Sequence, residues 1–142
     1  MMFNAALETV HKRLIDGAFT CVVRLDEREY VSRERGVKPL MPLLESGESW
    51  RGAVAADKNV GAGAAHLYVL LGVRALWADV VSQAALVVLQ TNGIDVFFET
   101  CVPYILNRRK DGTCPMELAV TDATTSEEAY RRMVETLKRL QE

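Results

Sequence analysis

V-A-A-D-K-N-V-G-A-G-A-A-H-L-Y-V-L-L-G, residues 54–72, is the stretch that decides how this chain reads. Residues 52–56 are almost continuously apolar, which marks a central strand covered on both faces. Asp57-Lys58-Asn59 then reads as a polar elbow, and residues 60–71 as a helix with no polar stripe. Such a helix is either sandwiched inside the domain or covered on its outer face by another subunit. Its first turn, Gly61-Ala62-Gly63-Ala64-Ala65, has no bulk, so backbone or a ligand can come close.

Downstream the pattern repeats. Residues 74–81 form a second buried strand, and Ser82 caps a helix that stops at Asn92-Gly93. Residues 94–100 form a third strand. Strand–helix–strand–helix–strand predicts parallel pairing with right-handed crossovers. Beyond it, the Asp111-Gly112 turn leads to Cys114 as a cap and Pro115 as the first helical residue. A last helix starts at Thr125, with Glu128 at capping-box spacing, and buries Tyr130, Met133, Val134, Leu137 and Leu140.

Upstream, Phe3, Leu7, Val10 and Leu14 recur at helical spacing and the pattern ends at Asp16-Gly17. His11 falls on the polar side of this helix and reads as a solvated histidine. Residues 18–25 and 29–33 are β-formers around an Asp26-Glu27-Arg28 turn and predict an antiparallel hairpin. A loop at Gly36-Val37-Lys38 precedes a short helix with Pro39 in its first turn.

The chain has 142 residues, 49% hydrophobic and 25% charged, which suits one globular domain and excludes disordered and fibrous classes. A net charge of −2 gives no electrostatic reason to expect a nucleic-acid or membrane partner. The start of the chain lacks a secretory apolar region, and no apolar run approaches the roughly 20 residues that span a bilayer. The 3 cysteines, Cys21, Cys101 and Cys114, share no close spacing, so reduced thiols in a cytoplasmic protein are expected.

Ligands of parallel sheets bind beyond the carboxyl ends of the strands. That edge collects Asp57, Lys58 and Asn59, then Asp79 and Ser82, then Cys101, Tyr104 and Asn107. A free helix start after Lys58 would suit an anion, and Arg108, Arg109 and Lys110 could add charge. G-A-G-A-A-H keeps only the first two glycines of a dinucleotide fingerprint, with His66 in place of the third. The 2 histidines and 3 cysteines show no metal-ligand spacing, so no metal and no cofactor is expected, and His66 reads as a packed histidine bonded to a neighbour. Cys114 is the one nucleophile candidate. It stands at a helix start near basic residues, where a thiolate is favoured, but the preferred reading is a plain cap of ordinary reactivity.

S-R-E-R-G-V-K-P-L (32–40), G-A-V-A-A-D-K-N-V-G-A-G-A-A (52–65), V-P-Y-I-L-N-R (102–108) and C-P-M-E (114–117) resemble, in order, the segments of a prokaryotic family of unknown function with a cytidine-deaminase-like fold. The resemblance implies a three-layer α/β/α domain whose mixed five-stranded sheet begins with an antiparallel hairpin. Zinc deaminases carry H-x-E or C-x-E and P-C-x-x-C at two helix starts. The corresponding regions here, 57–65 and 82–86, hold no cysteine, no histidine and no glutamate, which argues against zinc-dependent deamination. The family pattern often places glycine at the Asp26-Glu27 turn, which this chain lacks.

The leading expectation is a small anionic or nucleotide-like ligand at the strand-end pocket, lined by Asp57, Lys58, Asn59, Gly61, Ala62, Gly63 and Ser82, with Arg33 and Arg108 nearby. One alternative is a metal-free enzyme with Cys114 as nucleophile and Asp57 or Lys58 as acid/base. Another is an interaction protein whose apolar central helix is buried in a homo-oligomer.

Overall fold

The computed structural model describes residues 5–106, 110 and 112–141. Helix α1 spans Ala5–Asp16, strands β1 and β2 span Cys21–Leu25 and Arg28–Ser32, and the short α2 spans Leu40–Glu45. Three parallel strands follow: β3, Val54–Val60; β4, Ala75–Ser82; and β5, Asp95–Val102. Helix α3, Ala62–Leu71, joins β3 to β4, and α4, Gln83–Thr91, joins β4 to β5. Helices α5, Pro115–Ala119, and α6, Ser126–Gln141, close the chain.

The sheet order is β2-β1-β3-β4-β5, with β1 antiparallel to both β2 and β3. This is the mixed five-stranded sheet with a leading hairpin that the family resemblance implies. Helix α1 packs its buried Leu7, Val10 and Leu14 on one face, against Val22, Val54 and Ala56. The other face carries α3, backed by residues of α2, α4, α5 and α6 in one core. Three layers result.

Asp26 turns the hairpin with φ +55°, the left-handed conformation that glycine adopts at least cost. Glycine at this turn in the family pattern therefore has a steric reason.

Residues 57–59 are strand, not elbow. Asp57 is paired with Cys21 on one side and Ala78 on the other, and Asn59 is aligned with Val80. Strand β1 begins at Cys21, so past Asp57 one side of β3 has no strand neighbour. Lys58 and Asn59 are exposed there, and polar side chains cost nothing. Their polarity imitates a turn while the backbone stays in the sheet.

Helix α3 is buried from Ala62 to Tyr68, which settles its missing polar stripe in favour of sandwiching within the domain. Gly63 lets the helices meet: a Cβ there would lie 3.0 Å from Met133 Sδ, 3.4 Å from Met116 Cβ and 3.4 Å from Val37 Cγ1. Ser82 accepts a 3.1 Å bond from the Ala85 amide, and Thr125 accepts one of 3.0 Å from Glu128. Both predicted caps are present. In α6 Met133 is fully buried and Tyr130, Val134 and Leu137 partly so, but Leu140 is exposed, since the helix runs past the core in its last turn. Phe3 lies outside the described residues.

His11 is not simply solvated. Its ring centroid lies 4.2 Å from that of Trp77, and Nε2 is 3.7 Å from Asp79 Oδ1. Asp79 in turn accepts a 2.8 Å bond from Trp77 Nε1.

Candidate functional site

The parallel strands end where α3 and α4 begin, and the chain leaving β5 turns back across this region. An isolated bridge between Leu106 and Thr113 closes that return. The amide of Cys114 donates to Ile105 O at 2.9 Å and fixes the start of α5. A cleft of about 730 Å³ lies between these elements. Ala84, Val87 and Val88 of α4, with Pro103 and Tyr104, give it apolar and aromatic surface. Thr113, Thr121, Thr124 and Ser126 bring hydroxyls, and His66 and Glu117 bring the ionisable groups.

Glu117 is buried at the start of α3. Its Oε2 accepts a 2.8 Å bond from the Ala62 amide, so the carboxylate does for α3 what a local capping side chain does elsewhere. Oε1 is shielded from solvent and has no hydrogen-bond partner among the described residues. It occupies space that only a glycine leaves open: a Cβ on Gly61 would stand 2.4 Å from it. The φ of Gly61 is −91°, so closeness to Glu117, and not backbone strain, is what calls for glycine.

One turn along the same helix face, His66 Nδ1 lies 2.9 Å from Ser126 Oγ. Burial lowers its pKa from the ordinary 6.5 and favours the neutral ring. The packed, hydrogen-bonded histidine expected from the sequence is present, and it also lines the cleft.

The residues singled out in the sequence are dispersed. Ala62 lines the cleft, and Gly61 stands beside it against Glu117. Gly63 faces the methionines of the helix contact, and Ser82 is a buried cap. Asp57 is buried under α3, where Tyr68 donates to Oδ2 at 2.7 Å and the Asn59 amide donates to Oδ1 at 3.1 Å. Burial raises its pKa from 3.8 to about 7, against the lowering effect of the Tyr68 bond. Lys58 and Asn59 are exposed on the sheet edge. Arg33 donates to Gly17 O at 2.8 Å and lies over Phe19 at 4.4 Å, on the hairpin side. Asp79 belongs to the cluster with Trp77 and His11. Cys101 is exposed on β5, and Cys114, half-buried, makes no side-chain cap bond and is not part of the cleft wall. Asn107, Arg108 and Arg109 lie outside the described residues.

Glu117, Ser126 and the threonines were missed. Glu117 stood in the C-P-M-E segment, but nothing local to that segment says that it caps a helix 55 residues away in sequence.

A family profile described as a domain of unknown function, DUF1893 (TM1506), matches residues 9–137. The chain belongs to the DUF1893 family. A crystal structure of a DUF1893 protein from Thermotoga maritima is similar at 22% identity, with a TM-score of 0.86 over 95% of this chain and 92% of that one. That similarity establishes a shared fold. A diaminohydroxyphosphoribosylaminopyrimidine deaminase/5-amino-6-(5-phosphoribosylamino)uracil reductase from the same organism is similar at 16% identity, with a TM-score of 0.48 over 81% of this chain and 41% of that one. Among curated proteins no match was found.

The helix starts of this DUF1893 chain are poor in metal-ligating side chains. Its α3 and α4 begin with Ala62-Gly63-Ala64 and Gln83-Ala84-Ala85, whose side chains offer no imidazole or thiolate, and the carboxylate that reaches the start of α3 is bonded to a backbone amide. Among the described residues no helix is long and apolar enough to cross a membrane.

Proposed function

We propose that this DUF1893 protein binds a small ring-bearing molecule of about nucleoside size in the cleft between α3, α4, α5 and the start of α6. The observation that carries this reading is the cleft itself: about 730 Å³, with apolar side chains of α4 and Pro103 facing threonine and serine hydroxyls, His66 and Glu117. Its volume falls within the ordinary range of small-molecule sites. A flat ring would lie along Val87, Val88, Pro103 and Tyr104, and its polar substituents would meet Thr121, Thr124 and Ser126. One end of the cleft, at Ala62, Ala84 and Pro103, lies where the parallel strands end, the side on which ligands of such sheets gather.

A thermal-shift screen of nucleosides, nucleotides, aromatic amines and aromatic acids tests the proposal, since a ligand specific to the folded state raises the melting temperature with concentration. The variant Val87→Trp, at an exposed position on the cleft wall, should cancel the shift while leaving the unliganded melting temperature in place. A shift that survives Val87→Trp, or no shift across the panel, overturns the reading.

A further inference from the structure

We propose that Ser126 and His66 form a nucleophile–base pair in this cleft, and that the pair hydrolyses small apolar esters. His66 Nδ1 lies 2.9 Å from Ser126 Oγ, within the range at which a base activates a hydroxyl. The two residues come from α3 and α6, both line the cleft, and each keeps 8% of its surface exposed, so a substrate seated there meets them. The neighbouring hydroxyls are otherwise committed. Thr121 donates to Glu117 O at 3.0 Å, Thr124 donates to Glu128 Oε2 at 3.3 Å, and Thr125 accepts from the Glu128 amide as the cap of α6. Ser126, one residue inside the helix, is spared that duty, and among the described residues its side chain is bonded to His66 alone. The base is equally well prepared. Helix α3 is buried from Ala62 to Tyr68, which holds the ring in place, and burial keeps it neutral. With the ring proton on Nε2, Nδ1 accepts the Ser126 hydroxyl bond.

In the reaction, Ser126 Oγ attacks the ester carbonyl carbon while its proton passes to His66 Nδ1. The bond from that carbon to the leaving oxygen breaks, and the departing alcohol carries the proton away. Water then gives a proton to the same nitrogen and attacks the acyl carbon. The bond to Oγ breaks, Oγ regains the proton, and the acid leaves. One ester and one water become one acid and one alcohol. The negative charge on the carbonyl oxygen develops at the start of α6, where the amides of Ser126 and Glu127 have no acceptor among the described residues. The helix end favours such a charge. Val87, Val88 and Pro103 seat the apolar part of the ester.

The inference goes beyond binding and needs only the cleft, not the ring-bearing ligand proposed above. An alkyl phosphonofluoridate on the full chain tests it. The phosphorus–fluorine bond breaks as a bond to Oγ forms, fluoride leaves, and peptide mapping by mass spectrometry locates the label. One label on Ser126 is expected in the folded chain and none in the urea-unfolded chain. Release of nitrophenolate from p-nitrophenyl butyrate should fall as the label accumulates. Ser126→Ala should lose both reactions. His66→Gln, which can hydrogen-bond the serine but cannot take its proton, should slow labelling about a hundredfold. No label on Ser126, or one that forms as fast in the unfolded chain or in His66→Gln, overturns the proposal. The folded and unfolded comparison uses the unaltered sequence, so a variant that fails to fold leaves the test intact. A ligand that raises the melting temperature over an inert Ser126 would sink the pair and spare the cleft. A labelled Ser126 with no thermal shift across the panel would support the pair and overturn the ring-bearing ligand alone.

Discussion

The hydroxyl of Tyr68 donates a 2.7 Å hydrogen bond to Oδ2 of Asp57, tying the middle of α3 to the central strand β3. The same hydroxyl lies 3.3 Å from Cys21 Sγ on β1, so three titratable groups meet in the interior. Burial raises the pKa of all three, and the charge of Asp57 adds to the rise for Cys21 and Tyr68.

Stability should fall with pH because of Asp57. Its folded pKa of about 7 lies above the unfolded value of roughly 3.9, so between them the folded state holds the extra proton. The contribution is complete below about pH 4, declines through the interval and is gone above pH 7, on the order of 4 kcal/mol in all. Urea unfolding of the native chain and of Asp57→Asn at several pH values checks this. The variant should show a flatter profile between pH 4 and 7, and parallel profiles would contradict it.

Gly61→Ala should destabilise the fold by about 1–3 kcal/mol, because the new methyl displaces Glu117 and leaves the Ala62 amide unpaired. The cost should shrink markedly in a Glu117→Ala background, where the collision and the bond are both absent. A double-mutant cycle measures the difference.

Ser82→Ala should cost about 1–2 kcal/mol by leaving the buried Ala85 amide unpaired at the start of α4. Ser82→Asp, which can accept the same bond but places a charge at a buried position, should do worse than at an exposed cap. Denaturant midpoints at constant m-value decide it.

Thiol labelling should follow access: Cys101 first, Cys114 more slowly, and Cys21 only on unfolding. A Cys114 that outruns Cys101 at neutral pH would mark an activated thiolate and revive a nucleophilic role for it.

The order of strands and helices was legible because it rests on local signals: alternating apolar runs, the Ser82 cap, and the capping box from Thr125 to Glu128. Lys58 and Asn59 misled for an equally physical reason. Turn-forming polarity and an unpaired strand end have the same composition, and only the position of Cys21 across the sheet tells them apart. His11 misled because its partners, Trp77 and Asp79, come from a strand distant in sequence. The candidate site was legible in location but not in membership. Ala62, Tyr104 and His66 were noticed from sequence, whereas Glu117 and Ser126 come from the two last helices, whose docking no local pattern announces.

The Glu117 cap on α3 amounts to a tethered occupant. A group held in place by the fold meets its partner at an effective concentration far above that of a free solute. Free carboxylates and phosphates in solution are therefore challengers for a seat already taken. Removing that carboxylate, as in Glu117→Ala, would leave the first amide of α3 without its partner and loosen the hold of α5 on the centre of the fold.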